Sequence, residues 1–457
     1  MLELSTLRAK TVTVTDRAGN VLYTLPTTVG QPGQGLRLDA QMNLVWSDMA
    51  KFMEDVKAVA AGALHTVFLK NNKTVWSVGH NHFGQLGNGK SGGDFFSNPA
   101  MEVYPVQVKK SSIDNDFFTG VDAIAAGGYH TVFLKNDGTV WAVGYNTSGQ
   151  LGNGENGNFK TYPVKVQIPV LPSGVTVTEI AAGSEHTVFL TSAGTVYAVG
   201  LNMNGQLGDG TTTARLTPVQ VSNISNVTAI AAGGQQTVVL SDAGTVYAFG
   251  FNAHGQLGNG TTTLRLTPVQ VKNSSTDNDF LTGVTAIAAG YDHTVFLKSD
   301  NTVWAVGKNS GGQLGDGTSE NKSYPVQVQI PVLPSGVTVT AIAAFSNHTV
   351  FLTSAGTVYA VGGNGYGQLG DGTTTPASTP VQVKADANNF LTNVKAIASN
   401  SNAAHTVFLN DSSTVYAVGL NAYGALGNGK SGGNVFNNPE IEVYPVQVMI
   451  NEGAILK

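Results

Sequence analysis

The chain of 457 residues has no cysteine, which excludes a disulfide framework, a zinc-thiolate site, an iron–sulfur cluster and a thiol nucleophile. Charge is scarce: Asp, Glu, Lys and Arg together make up 12%, about half the ~25% of an average soluble domain. The surface must therefore be polar but mostly uncharged. The formal net charge is only −5, and no basic run is longer than Lys109-Lys110, which disfavours nucleic acid or an anionic membrane held by electrostatics. No stretch approaches the ~18 consecutive apolar residues of a membrane span, and the opening MLELSTLRAKTVTV lacks the apolar core of a secretory signal. The expectation is a soluble protein with no membrane insertion.

What the chain does have is glycine, 56 of them, and a repeat. The phrase apolar-x-Ala-Ile-Ala-Ala-Gly-x-x-His-Thr-Val-Phe-Leu recurs with its histidine at His65, His130, His186, His293, His348 and His405, and Gln236 fills the missing fourth slot. The copies follow one another on average about every 57 residues. Each holds four short segments of strand chemistry, in the second copy Val121 to Ala126, Thr131 to Leu134, Thr139 to Val143 and Pro163 to Val166, bounded by turn signals such as Asn136-Asp137-Gly138. Four antiparallel strands repeated seven times, with no helical periodicity between them, predict an all-β, seven-bladed β-propeller. The Ala-Ile-Ala-Ala strand belongs nearest the axis, where small side chains are needed, and the bulkier residues of the next two strands belong between blades.

Three blades are written twice. SSIDNDFFTGVDAIAAG at 111–127 returns as SSTDNDFLTGVTAIAAG at 274–290, and YPVKVQIPVLPSGVTVT at 162–178 as YPVQVQIPVLPSGVTVT at 324–340. The insertion GNGKSGGDFFSNPAMEVYPVQV of copy one likewise returns at 427–448 in copy seven, its neighbour once the ring closes. Ahead of the repeats, Thr11 to Val14 and Val21 to Leu25 read as short strands around the turn Arg17-Ala18-Gly19-Asn20, followed by the Gly/Pro-rich loop TTVGQPGQG and Leu36 to Trp46. Met49, Phe52, Met53 and Val56 then recur at helical spacing and predict a short helix from Ser47. The expected domains are an extension at 1–55 for anchoring or oligomerisation, the propeller at 56–448 and a tail at 449–457.

At repeat level, AAGxxHTVFL…GTVYAVGxNxxGQLGxG…PVQV resembles the regulator of chromosome condensation repeat over residues 56–448. The resemblance implies a propeller whose turn-bearing face binds a protein. Family functions include nucleotide exchange on a small GTPase, ultraviolet sensing and β-lactamase inhibition, and the fold does not choose among them. Light sensing depends on tryptophans in a Gly-Trp-Arg-His-Thr turn, where this chain has Gly127-Gly128-Tyr129-His130-Thr131 and Gly290-Tyr291-Asp292-His293-Thr294; Trp76, Trp141 and Trp304 lie in strands expected to be buried. The basic N-terminal tail of a nucleosome-bound exchange factor is reduced here to Arg8 and Lys10. The segment VLYTLPTTVGQPGQGLRLDAQMNLVWS resembles short β segments of phage and giant-virus fibre proteins, which implies a virion or its surface as the setting.

Conspicuous chemistry has bland explanations. Six of nine histidines share one repeat slot on different blades and so do not converge on a metal; a structural role at the turn into the second strand is expected. His80 and His82 lack a third ligand. The Gly-x-x-Gly-x-Gly loops beginning at Gly84 and its equivalents have the order of neither a dinucleotide fingerprint nor a P-loop, and Gly89-Lys90-Ser91 and Gly429-Lys430-Ser431 lack the upstream glycine and following helix. Asp114-Asn115-Asp116 and Asp277-Asn278-Asp279 lack the remaining ligands of a calcium loop. No catalytic residue, cofactor or metal is predicted.

The positions that vary between copies are free to serve a partner. One set precedes the histidine slot and includes Tyr129, Glu185, Gln235, Tyr291, Asp292 and Asn347, with two extra residues in Ser399-Asn400-Ser401-Asn402 of copy seven. The other precedes the GQLG turn and includes His82, Phe83, His254, Tyr366 and Tyr423. Aromatics among Asn and Gly make either a recognition surface or packing onto neighbouring turns. The leading expectation is a non-catalytic platform displayed on a larger assembly, such as a virion or fibre, whose partners are assembly neighbours, a surface receptor or a glycan. The competing one is a free regulatory or inhibitory module acting on a protein.

Overall fold

In a computed structural model, residues 51–450 are described apart from 95–97, 277, 399–400 and 433–439; ahead of them stand the strand segments 13–15, 21–24, 34–38 and 44–48. Asp277, the extra residues Ser399 and Asn400, and the loop at 25–33 therefore lie outside the described residues.

Residues Met53–Val448 form one compact unit of seven four-stranded antiparallel sheets. The second blade is typical: Val121–Ala126, His130–Lys135, Val140–Gly144 and Lys160–Lys165 pair in sequence order, with Phe133 opposite both Ile124 and Trp141. Strict alternation sends Val132 and Leu134 into the core toward blade 3 and Phe133 into the core toward blade 1. The predicted architecture is the observed one.

The innermost strands surround a cavity of about 210 Å³ lined by Val59, Ile124, Ile180, Ile230, Ile287 and Ile342 and by the alanines that follow Ile124, Ile180, Ile230 and Ile287. Alanine at the axis is what the convergence of strands demands, and one larger aliphatic residue per strand, isoleucine or in blade 1 Val59, is also accommodated. The third-strand tryptophans Trp76, Trp141 and Trp304 are half-buried in strands that are otherwise mostly buried; Trp141 shares a face with Phe133 and packs against the core between blades 1 and 2, and Trp141 and Trp304 donate to Thr139 and Thr302 at 3.1 and 3.0 Å.

Blade 1 takes its strands from Val56–Gln107 and blade 7 from Val394–Gln447, so no strand is exchanged between first and last blades. The seam closes through side chains and through backbone bonds that include Val56 N–H to the Ser413 carbonyl at 3.3 Å and Gly429 N–H to the Val103 carbonyl at 3.1 Å.

The helix expected from Ser47 is absent. Leu44–Asp48 and Lys51–Phe52 are strands, and the latter pairs with Met449–Ile450. Helical spacing of four apolar residues lost to a pairing with the far end of the chain, which local periodicity cannot register. In the unit of Met1–Phe52 and Met449–Lys457, Thr13–Thr15 also pairs with Val21–Thr24 and Gln34–Leu38 with Leu44–Asp48. Among the described residues no helix is long and apolar enough to cross a membrane.

Candidate functional site

In each blade the first-to-second and third-to-fourth connections lie at one end of the strands. The repeat slot sits just beneath that end, and it is a hydrogen-bond ring. His65 Nε2 reaches Thr131 Oγ1 of the next blade at 3.1 Å, His130 reaches Thr187, His186 Thr237, His293 Thr349 and His348 Thr406, and His405 closes the circle on Thr66 at 2.9 Å. Gln236 substitutes by donating to the Gly290 carbonyl at 3.0 Å. Each threonine hydroxyl gives its single proton to a backbone carbonyl of the preceding blade, such as Gln85 for Thr131 and Ala425 for Thr66, both at 2.8 Å. The imidazole must therefore donate from Nε2, and Nδ1 carries the lone pair. The structural role expected of these histidines holds, but they join blades instead of capping a turn within one.

Burial holds His65, His130 and His293 at a pKa of about 3 and His186 and His405 at about 4, with His348 well below its ordinary value. Nδ1 of His65, His130, His186, His293 and His348 is buried without a hydrogen-bond partner, so a proton there would be stranded. The ring also explains the preceding glycine: a Cβ on Gly127 would sit 2.2 Å from His130 Cε1. Blade 6 has Phe345 there instead, stacked on His348 at 4.3 Å between ring centroids.

The GQLG turns are equally committed. Asn202 Nδ2 donates to Asp209 and the Thr211 and Thr213 carbonyls while its Oδ1 accepts from Leu207 N–H, and its equivalents repeat parts of this knot. Gly84, Gly87 and Gly89 all have positive φ, as turn glycines should. Among the described residues no three His, Cys, Asp or Glu side chains could hold a metal.

Above this fixed layer the variable residues divide into two sectors. Across blades 7, 1 and 2 they are aromatic: Phe83 meets His82 at 4.6 Å, Tyr129 at 5.4 Å and Tyr145 at 4.6 Å, and His80 lies 5.0 Å from Tyr423. Tyr366 and Tyr129 pack partly buried beside Leu64, Leu420 and Tyr423. Tyr423, at 3% exposure, is packing beneath the surface and not part of it, a correction to its candidacy. Burial pushes the Tyr129 hydroxyl up, with Tyr423, Glu185 and Tyr291 acting in the same direction.

Across blades 3 to 5 the sector is polar. Glu185 accepts from Ser148 Oγ at 2.8 Å, Gln235 accepts from Asn204 at 2.5 Å, and His254 and Lys308 stand 3.8 and 3.7 Å from Asp292. Asp292 is also buried, and burial raises its carboxyl even though His254 and Lys308 lower it; its partners consume it, so it is removed from the exposed candidates. Tyr291, 39% exposed, and Asn347 remain at the surface. Ser184 of blade 3 donates to Asn402 Oδ1 of blade 7 at 2.7 Å. Three blade steps separate them, so the copy-seven insertion reaches across the axis at this end.

One variable set escaped the sequence reading: the residue after each third-strand glycine, namely His80, Tyr145, Leu201, Phe251, Lys308, Gly363 and Leu420. Its variation was visible in the repeats, and four of its members, His80, Tyr145, Leu420 and Lys308, belong to the two sectors.

Residues 30–283 match the family described as RCC1-like domain, and residues 284–313 and 339–368 match the regulator of chromosome condensation (RCC1) repeat, as do 300–352 and 355–409. The chain is 29% identical to the ultraviolet-B receptor UVR8 of Arabidopsis thaliana over 82% of this chain and 79% of that one. It is 26% identical to the X-linked retinitis pigmentosa GTPase regulator homolog of Caenorhabditis elegans, over 69% of this chain but only 24% of that one. Among solved structures, Prp20p of Saccharomyces cerevisiae, described with its binding to Gsp1p and histones, superposes with a TM-score of 0.68 at 23% identity, covering 83% of this chain and 87% of that one. That last likeness speaks for the fold alone.

Proposed function

The chain belongs to the family of RCC1-like domains, and on that premise we propose that it is a non-catalytic protein-interaction module whose partner docks on the face carrying the variable turns. The observation that carries this reading is the contrast between two layers. Beneath the face the repeat-fixed histidines and threonines tie neighbouring blades together by hydrogen bonds; on it, residues that differ from blade to blade gather into an aromatic sector around Phe83 and Tyr129 and a polar one around Glu185 and Tyr291. Large aromatics rimmed by polar groups are the composition of protein-binding hot spots. Prp20p, which shares the fold, is described as binding Gsp1p and histones. Ultraviolet sensing is not carried over, because the turn tryptophans it requires are Gly128 and Tyr291 here.

A photo-crosslinking side chain placed at Phe83 or at Tyr291 in the full chain, expressed in its source cells, tests the reading. Both positions should trap the same protein, and Ile113, exposed at the opposite end of the blades, should not. Equal trapping from Ile113, or none from the two face positions, refutes it.

The finer part of the proposal is that the strand pairs of the Met1–Phe52 and Met449–Lys457 unit attach the propeller to a larger assembly such as a virion or fibre. A separate compact unit drawing on both chain ends is the observation that favours attachment. Native mass and imaging of material purified from the source decide it: an ordered, repeated component of a particle supports attachment, and a free monomer or small complex refutes it.

A further inference from the structure

The duplicated segment Ile168-Pro169-Val170-Leu171-Pro172, repeated as Ile330-Pro331-Val332-Leu333-Pro334, links the outer strand of one blade to the innermost strand of the next, at the end opposite the variable turns. Two fully exposed valines mark it: Val170 and Val332 stand at 99% and 101% of the exposure of a free residue. An aliphatic side chain placed in water twice, identically, is unexplained by the fold.

The burial pattern has a period of three. Ile168 and Leu171 pack against the core between blades 2 and 3, and Ile330 and Leu333 against the core between blades 5 and 6. Pro169, Val170, Pro172 and Ser173, with their counterparts Pro331, Val332, Pro334 and Ser335, are exposed. Neither segment has regular hydrogen-bonded structure, and no described backbone bond is donated by Val170, Leu171, Val332 or Leu333. Three residues per turn without internal hydrogen bonds is the polyproline II helix, in which residues three apart share an edge. One edge, isoleucine and leucine, is the anchor; the next, two prolines, faces solvent with valine beside it. Each ridge is clamped at both ends: Gln167 N–H bonds the Gly152 carbonyl at 2.8 Å and Val175 N–H the Pro172 carbonyl at 3.0 Å, and Gln329 and Val337 repeat this with Gly315 and Pro334.

We propose that these two ridges are preformed ligands for a partner domain with an aromatic-lined groove that takes a proline pair spaced i, i+3, a mode in which the extended helix costs little entropy to bind. A lipid surface fits less well, since Lys165 is the one basic residue within three positions of either ridge and its counterpart is Gln327. Because the ridges come in identical pairs on one rigid scaffold, a partner carrying two such grooves gains avidity.

The test uses the full chain, immobilised, against a panel of purified SH3 and WW domains, each as a single domain and as a flexibly linked tandem. At least one single domain should bind in the micromolar range, and its tandem about tenfold or more tighter. The fourfold variant Pro169→Ala, Pro172→Ala, Pro331→Ala, Pro334→Ala should weaken binding at least about tenfold; Val170→Asp with Val332→Asp, which leaves both anchors in place, should do the same without moving the melting temperature. Absence of any binding tighter than millimolar, variants that bind like the parent chain, or capture by anionic vesicles instead of the domains would overturn the assignment.

Discussion

Acid should unfold this propeller more steeply than its carboxylates alone would allow. In the unfolded chain each ladder histidine titrates near its ordinary value of about 6.5; in the folded ring burial holds His65, His130, His186, His293 and His405 at about 3 to 4 and His348 well below its ordinary value. Below pH 6.5 the unfolded state therefore binds protons that the native state refuses, so stability is intact above that value and falls as pH drops toward the folded values. Each group contributes about 1.4 kcal/mol per pH unit, and six together about 8 kcal/mol per unit. Set against the roughly 5 to 15 kcal/mol by which domains are stable, this places acid unfolding between about pH 5 and pH 6. Urea melts followed by far-ultraviolet circular dichroism at half-unit steps from pH 7.5 to 4.5 give the slope directly. His186→Gln, which copies the residue native to the fourth slot, should lower that slope by about one proton. A total uptake of fewer than about two protons on unfolding across this range, or a slope indifferent to His186→Gln, would refute the account of the ladder.

Three further outcomes follow from the same packing. Gly127→Ala should cost more than about 3 kcal/mol, because its Cβ would lie 2.2 Å from the His130 ring and 2.6 Å from the Gly183 carbonyl, whereas Gly365→Ala, with nothing within 4 Å, should leave thermal unfolding nearly unchanged. Thr66→Val strands both the His405 donor and the Ala425 carbonyl at a seam that no shared strand protects; a loss of about 2 to 4 kcal/mol in urea is expected, with hydrogen exchange rising first in Val56–Ala61 and His405–Asn410. Glu179 occupies an innermost-strand position that is alanine in the other six blades, and burial pushes its carboxyl up to about 7. A raised acid pKa costs stability as pH rises from the unfolded value toward the folded one, so Glu179→Ala should stabilise by about 1 to 3 kcal/mol at pH 8 and by much less at pH 5; an equal effect at both would remove the electrostatic cause.

The repeat itself carried the fold. Period-two strands, turn glycines and a word recurring seven times leave a ring of four-stranded blades as the arrangement that satisfies every copy at once, and identical copies on different blades already excluded a shared metal. The sequence also determined which positions were free to vary, since only the copies' disagreements separate Tyr129 and Glu185 from the scaffold under them. What it could not hold were relations between blades. That His405 finds Thr66 across 339 residues, that Asn402 bridges to Ser184, and that Lys51–Phe52 pairs with Met449–Ile450 are consequences of closure, which brings together positions no local pattern connects. The same holds for which side chains stay accessible: Tyr423 and Tyr366 occupy the same repeat slot, yet one is buried and the other only partly so, because exposure depends on what the neighbouring blade places beside each.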